Sequence, residues 1–434
     1  MELVTSFVTV MQPLQSVMTT PTWNNFQILV VGWMFAPKRT ITRMIQAAGV
    51  AGQKHHSAFH RIFAKASWSL DLLGLAVFQL LKPFCQGTVF LAVDNTLARK
   101  RGLKMFGTDM HYDPLISSRS KKLTSWGHDW VTLGVIVRFP LWPERPFCLP
   151  ILFRLYLSQK QAKKYRRTHR THSELFLQML KWLCRHEKSL HFHVVADSAY
   201  GGWKVVKALP SNCDLTSRLV LDARLHAAPP PKSNKVGRPH RRGAKQPTPR
   251  EMLQKRCRHI ELNIYGRNNP MRIASQKARI YNVPDRELLI VATEALRGGR
   301  GEEAFYSTAT DVEAEQVLKW YADRWSIEVT NHDSKQYLGF EEPQGWTRLA
   351  VERTAPIAML LYSLVLIWFA KAGHVDFQPV LRPWYTREHS ASFADMLGWL
   401  RRKSVHQLIS ETPINDQGRQ KLAQTVENLV QIAA

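Results

Sequence analysis

Three carboxylates in this chain stand where they could share divalent cations. Asp94 follows the apolar run Thr88-Val89-Phe90-Leu91-Ala92-Val93, and Asp197 follows His191-Phe192-His193-Val194-Val195-Ala196. Short apolar runs rich in β-branched residues are expected of strands buried on both faces, so each acid is predicted to end a strand. In a parallel sheet, ligands collect at the carboxyl ends of the strands, which would bring the two acids to one pocket. An acid ending a strand is also a common cap or turn residue, so it is the pair that points to chemistry.

The third acid is Glu328. Thr310-Asp311-Val312-Glu313 has the S/T-x-x-E pattern of a capping box, and predicts a helix from there to about Tyr337, with Gly339 as its stop. Tyr321, Arg324, Glu328 and Lys335 fall on it. At about 100° per residue they occupy one face, within an arc of about 60°. That face offers a metal-capable carboxylate beside two cations and a phenol; a merely solvated charged face would look similar. Two divalent ions about 4 Å apart can activate an attacking hydroxyl and stabilise the leaving oxygen of a phosphodiester. Such ions want carboxylate oxygens, which favours Mg²⁺, with Mn²⁺ able to substitute, over zinc. Arg324 and Lys335 would hold the neighbouring phosphates.

Tyr321-x-x-Arg324-x-x-x-Glu328-x-x-x-x-x-x-Lys335 resembles the Y-R-E-K signature of bacterial insertion-sequence transposases of the IS4-like superfamily. With Asp94 in AVDNT, Asp197 in VADSAYGG and Glu328 in DRWSIEV, the chain is most similar to the IS701 family. The resemblance implies an α/β fold: a ribonuclease-H-like catalytic core with a β-rich insertion, plus helical N-terminal and C-terminal regions. It implies that Asp94, Asp197 and Glu328 are the metal-binding catalytic triad, and that Tyr321, Arg324 and Lys335 touch DNA beside the scissile phosphate. It also implies a homodimer in a synaptic complex, acting on double-stranded DNA at transposon ends and target. Trp325 could stack on a displaced base, or belong to the core, as many of the 14 Trp must.

Texture along the chain divides it into residues 1–85, a helical DNA-binding region; 86–225, the first part of the core; 226–309, the insertion; 310–345, the helix carrying Glu328; and 346–434, a helical C-terminal region. Within the first, Thr40–Ala47 and Ser57–Phe63 with a Gly-containing turn between them are compatible with a helix-turn-helix or a plain helical hairpin. Strands are expected at 130–139, 147–157 and 218–223, with a basic turn at 160–170 and an amphipathic helix at 173–187. Residues 226 to about 275 open with Pro229-Pro230-Pro231 and are dense in Lys, Arg, Gly and Pro; such a segment does not order alone. Strands resume at 287–293 and 304–308. Gly237-Arg238-Pro239 resembles the centre of an AT-hook, which would place Arg238 in a minor groove. Arg99-Lys100-Arg101 could grip phosphates near Asp94. His191 and His193 share a strand face, but no third zinc ligand accompanies them, so packing is expected.

Composition agrees with a polyanionic partner. Sixty Lys and Arg against 34 Asp and Glu leave a formal charge of +26 over 434 residues, a surplus most useful against nucleic acid. A membrane is the weaker partner: the start has no signal-peptide pattern, and Ala355–Ala370 is short for a span and reads as a buried helix. Five scattered cysteines suggest neither a zinc cage nor disulfides, in keeping with a cytoplasmic, DNA-associated protein. A domesticated transposase or DNA nuclease with the same fold, without strand transfer, and a noncatalytic DNA-binding protein are the alternatives left open.

Overall fold

Five helices come first: α1 (Thr5–Met11), α2 (Thr20–Phe35), α3 (Ile41–Ala47), α4 (Ser57–Ala64) and α5 (Leu70–Leu81). They belong to a computed structural model that describes residues 2–118, 120–230, 241–264, 266–297, 301–379, 390–411, 418 and 420–422. The expected α/β centre follows, with β1 (Val89–Arg99), β2 (Asp109–Tyr112), β3 (Thr124–Val137), β4 (Phe147–Tyr156), α6 (Gln159–Lys164), α7 (His172–His186), β5 (Phe192–Ala196), α8 (Trp203–Ala208) and β6 (Cys213–Leu219). Then come β7 (Leu225–His226), β8 (Lys245–Gln246), α9 (Pro249–Lys255), β9 (Arg258–Ile264), β10 (Arg267–Ile280), β11 (Leu288–Ala295) and β12 (Glu302–Ser307). The chain continues through α10 (Ala314–Asp323), α11 (Ser326–Leu338), α12 (Arg348–Trp368) and α13 (Phe393–Glu411).

All described strands join one mixed sheet in the order β2-β3-β1-β5-β6-β12-β11-β10-β7-β8, with β4 added to β3 and β9 to β10. Strand β1 pairs antiparallel with β3 but parallel with β5, and β5 pairs parallel with β6. The insertion therefore does not stand apart. Its β12 pairs directly with β6 and extends the central sheet.

One apolar core reaches from Phe7 in α1 to Leu400 in α13. Helix α12 runs through it, packing on α1, α4, α5, α11, α13 and β4. By length and composition the stretch from Arg348 to Gly373 could cross a membrane, but 83% of its most apolar window is buried inside the protein. It is the core helix expected of Ala355–Ala370. A smaller apolar cluster, including Ile273, Val291, Phe305 and Val317, packs α10 against the insertion strands.

Several expectations need correction. The strand carrying Asp94 does not stop there: β1 runs on to Arg99, because β3 is long enough to keep pairing as far as Arg99↔Gly127. The strand expected at 218–223 is β6, five residues earlier; pairing of Phe192 with Cys213 sets its register, and Val220 is left exposed. The polar side chains that hid this strand are satisfied internally, with His193 Nε2 2.8 Å from Thr216 Oγ1 and Thr216 Oγ1 donating to Ser307 at 3.1 Å. That contact also places His193 in the packing role expected of it.

Much of the stretch taken as unordered is structured. Residues 241–275 hold β8, α9, β9 and the start of β10, since β10 finds partners on both sides. The basic turn at 160–170 contains α6. Between α3 and α4 lie nine residues, Ala48–His56, longer than the three or four of a helix-turn-helix. Arg238, like the rest of the AT-hook-like segment, lies outside the described residues.

Candidate active site

Register brings the first two acids together. The parallel pairing of β1 with β5 ends at Val93↔Ala196, so Asp94 and Asp197 are the next residues on neighbouring strands. Asp94 stays in the sheet, paired with Thr132. Asp197 begins a turn, in which the Ala199 N–H donates to its Oδ1 at 2.9 Å. Tyr306 donates from its hydroxyl to the Gly201 carbonyl at 2.6 Å and Ser217 from its hydroxyl to the Asp197 carbonyl at 2.8 Å, tying the turn to β12 and β6.

Gly201 is required by this packing, since a Cβ there would lie 2.0 Å from Ser217 Oγ. Gly201→Ala is expected to shift the Asp197 turn and reduce cleavage about tenfold or more, as misplacements of about 1 Å do, with the fold retained. Circular dichroism and cleavage rates check this, and Ser217→Gly in the same chain should recover part of the loss.

Glu328 arrives from the other side. The single helix expected from 310 to 337 is two, α10 and α11, joined at Arg324-Trp325. Both junction residues keep helical backbone angles, but the turn tightens to three-residue hydrogen bonds, including Trp325 N–H to Ala322 O at 3.1 Å and Glu328 N–H to Trp325 O at 3.0 Å. Ser326 Oγ donates to the Asp323 carbonyl, and Arg138 donates to both Asp323 carboxylate oxygens, each at 2.7 Å. Nor is Thr310 a cap. Helix α10 begins after Glu313, whose side chain makes no capping bond.

The tight turn sends Arg324 inward and Trp325 outward. Arg324 donates to Glu328 Oε1 at 2.9 Å and its guanidinium carbon lies 5.4 Å from the Tyr321 ring centre. Trp325 is 50% exposed, which excludes the core role. It lines a cleft of about 860 Å³ between the β9–β10 hairpin and the α10–α11 junction.

Helix α11 is held against the sheet along its length. Thr330 donates to the Cys148 carbonyl at 2.7 Å, and Ile327 packs with Ala92 and Ile136. Gly339, at φ +62, stops the helix as expected. The Trp33 indole donates to the Leu338 carbonyl at 2.8 Å, so the N-terminal helices brace this end.

The charges are strongly coupled. Burial pushes the Asp94 carboxyl up to about 7; Arg324 opposes the rise, and the negative charges of Asp197 and Glu328 add to it. Burial also raises the Tyr321 phenol and lowers the Lys335 ammonium, whose nearest acid is Glu341 at 3.9 Å. Asn331 is a residue that sequence reading missed. It donates from Nδ2 to Asp94 Oδ2 at 3.2 Å, while its buried Oδ1 has no protein partner. Its position, three residues after Glu328 and four before Lys335, puts it on the face already singled out.

Arg99 and Lys100 are engaged elsewhere. Arg99 pairs with Asp113 at 2.7 Å. Lys100 donates to the carbonyls of Glu341 at 2.6 Å and Pro343 at 2.9 Å, and burial lowers its ammonium to about 8. Both cations thus have partners within the protein, and both engage the Glu341 segment next to Lys335.

Among the described residues, no three acidic, histidine or cysteine side chains lie close enough to hold an ion as they stand. Like charges repel, and the guanidinium of Arg324 occupies Glu328. The donor set nevertheless fits a hard dication: oxygen ligands from the middle of β1, the turn just past β5 and the first turn of α11, with the unpartnered Asn331 Oδ1 alongside.

Residues 13–270 match the family described as DDE superfamily endonuclease. That is more than half of the chain, and the protein belongs to this family. Membership implies a nuclease that acts on DNA with a divalent metal. The matched segment contains Asp94 and Asp197; Glu328 lies beyond it and is placed by geometry alone. No curated protein matches the chain.

Proposed function

We propose that this DDE endonuclease is a transposase, which binds the inverted-repeat ends of its element, cuts them and joins them to new DNA. The observation that carries the reading is the convergence of Asp94 and Asp197, adjacent in register, with Glu328 brought opposite by α11 and Arg324. The antiparallel β4-β3-β1 and parallel β1-β5-β6 order supports a ribonuclease-H-like core running through 86–225 and completed by 310–345.

In this reading Asp94, Asp197 and Glu328, and Asn331 beside them, would hold Mg²⁺ or Mn²⁺, which supplies Lewis acidity and an activated hydroxyl at the phosphodiester. The protein's own groups do the rest. Tyr321, Arg324 and Lys335 position the phosphates, Arg324 exchanging Glu328 for a phosphate oxygen. Trp325 offers a half-exposed ring to an unstacked base in the cleft beside the insertion. Two ends processed together call for a homodimer, with 1–85, 226–309 and 346–434 supplying end recognition and subunit contacts.

The test is incubation with DNA carrying the repeats that flank the gene, in Mg²⁺, Mn²⁺ or EDTA. Metal-dependent cutting with joined products is expected. Cutting without joining would leave a nuclease, which is as far as the family's description goes.

A further inference from the structure

A basic concavity lies away from the carboxylates, along edge strand β4. A cavity of about 620 Å³ opens there between the starts of α5 and α12, helix α7, and the turn after α6. Arg154, Arg166, Arg167, Arg170 and Arg353 line it, against only two acids, Asp71 and Glu352. Five guanidiniums less two carboxylates leave a surplus of three positive charges in one concavity, where low-dielectric walls strengthen the field on an anion.

Three of the five are already committed. Arg154 forks onto Asp71 at 2.7 and 2.8 Å, Arg353 donates to the carbonyls of Ala66 and Trp68, and Arg167 lies 3.7 Å from Glu352. The side chains of Arg166 and Arg170 have no hydrogen-bond or carboxylate partner among the described residues, and both are exposed.

Arg166 has a further peculiarity. It is the only residue other than glycine with positive φ among the described residues, at +52°. The Arg167 N–H donates to the Ala162 carbonyl at 2.8 Å and the Arg166 N–H to the Lys163 carbonyl at 3.1 Å. This is the Schellman closure of α6, with Arg166 at the position that normally takes glycine. An L-residue is strained there, so the backbone gives no reason for arginine. Its side chain, at the mouth of an arginine-lined cavity, does.

We infer that this cavity is a second DNA site, in which Arg166 and Arg170 bind backbone phosphates away from the cut. The inference rests on reading the chain as a DNA-cutting enzyme. It is distinct from the active site: Phe153 in its wall is in register with Thr132 and, across β3, with Asp94. Two strand spacings, about 10 Å, and the α12 contact of Met359 on Thr132 separate the two. Forked guanidiniums suit phosphate oxygens, and the open rim suits a backbone running past it.

The test uses the full-length protein without metal, a fluorescent duplex carrying the flanking repeats, and anisotropy at several salt concentrations. The variants are Arg166→Gly alone and Arg166→Gly with Arg170→Gln. Glycine relieves the strained φ, so Tm should hold or rise and misfolding cannot mimic the result. Each lost phosphate contact flattens the log–log salt dependence by about 0.9. The double variant should therefore have a slope shallower by about 1.8 and bind at least about tenfold more weakly at low salt. Wild-type and double-variant curves that superimpose would overturn this site and leave the transposase reading standing. A wild type that does not bind the duplex here, and does not cut it when Mg²⁺ is added, would overturn both.

Discussion

Asp94→Asn is expected to abolish metal-dependent DNA cleavage, by about a thousandfold or more, and at the same time to stabilise the metal-free protein above pH 7. Both effects come from one carboxylate. In the proposed site it is one of three carboxylates that would hold the metal, and an amide in its place would remove a negative charge from that set. As a half-buried acid, partly desolvated and with Asp197 and Glu328 around it, it is costly in the absence of metal. Its carboxyl titrates near 3.8 in the unfolded chain and at about 7 in the fold. Between those values the folded state keeps a proton that the unfolded state has lost, so stability falls as pH rises from about 4 through 7.

Asparagine removes that part of the pH slope. Thermal melts at pH 5 and pH 8 should show the variant gaining on wild type at the higher pH. Addition of Mg²⁺ should raise the wild-type Tm and leave the variant nearly unmoved. A variant less stable than wild type at pH 8, in EDTA, would mean that Asp94 is held by its hydrogen bonds rather than strained by burial.

Arg324→Ala should have the next largest effect. The guanidinium is 12% exposed, bonded to Glu328 and the main influence holding the Asp94 carboxyl down. Removing it leaves three carboxylates uncompensated, so the metal-free variant should melt below wild type. Cleavage should fall at least about a hundredfold, a loss of about 2.7 kcal/mol or more in transition-state stabilisation. Mg²⁺ should restore stability, because its charge replaces that of the guanidinium at the carboxylates, but should not restore rate. Arg324→Lys keeps the charge without the fork and should recover stability more than activity. If melts of Arg324→Ala and wild type coincide in EDTA, the arginine is not what balances the site.

The parts of this arrangement that were legible in sequence are those with local signatures. Apolar runs announced β1 and β5, and Gly339 announced the end of α11. The Tyr-Arg-Glu-Lys spacing names a face that the fold turns toward Asp94 and Asp197. It did not announce the break at Arg324-Trp325, because tightened turns keep helical angles and the side-chain period barely shifts. Yet that break decides which of two consecutive residues points inward. Strand β6 was concealed because Asp214, Thr216 and Ser217 look like surface residues until their partners on β5, β12 and the Asp197 turn are known. The Arg, Asn and Lys residues of β10 conceal that strand in a similar way. Asn331 lay on the right face, but an uncharged amide gives no signal of its own. Arg166 required a backbone angle that no sequence prints.

The central claim is that Asp94, Asp197 and Glu328 jointly hold the metal that cuts DNA. Anomalous diffraction from crystals of the protein with a short end duplex and Mn²⁺ tests it most directly. Manganese bound by carboxylate oxygens of Asp94 and Asp197, with Glu328 released from Arg324 to join them, is the predicted result. Manganese bound elsewhere in a complex that still cuts, with Glu328 remaining on Arg324, would contradict the account.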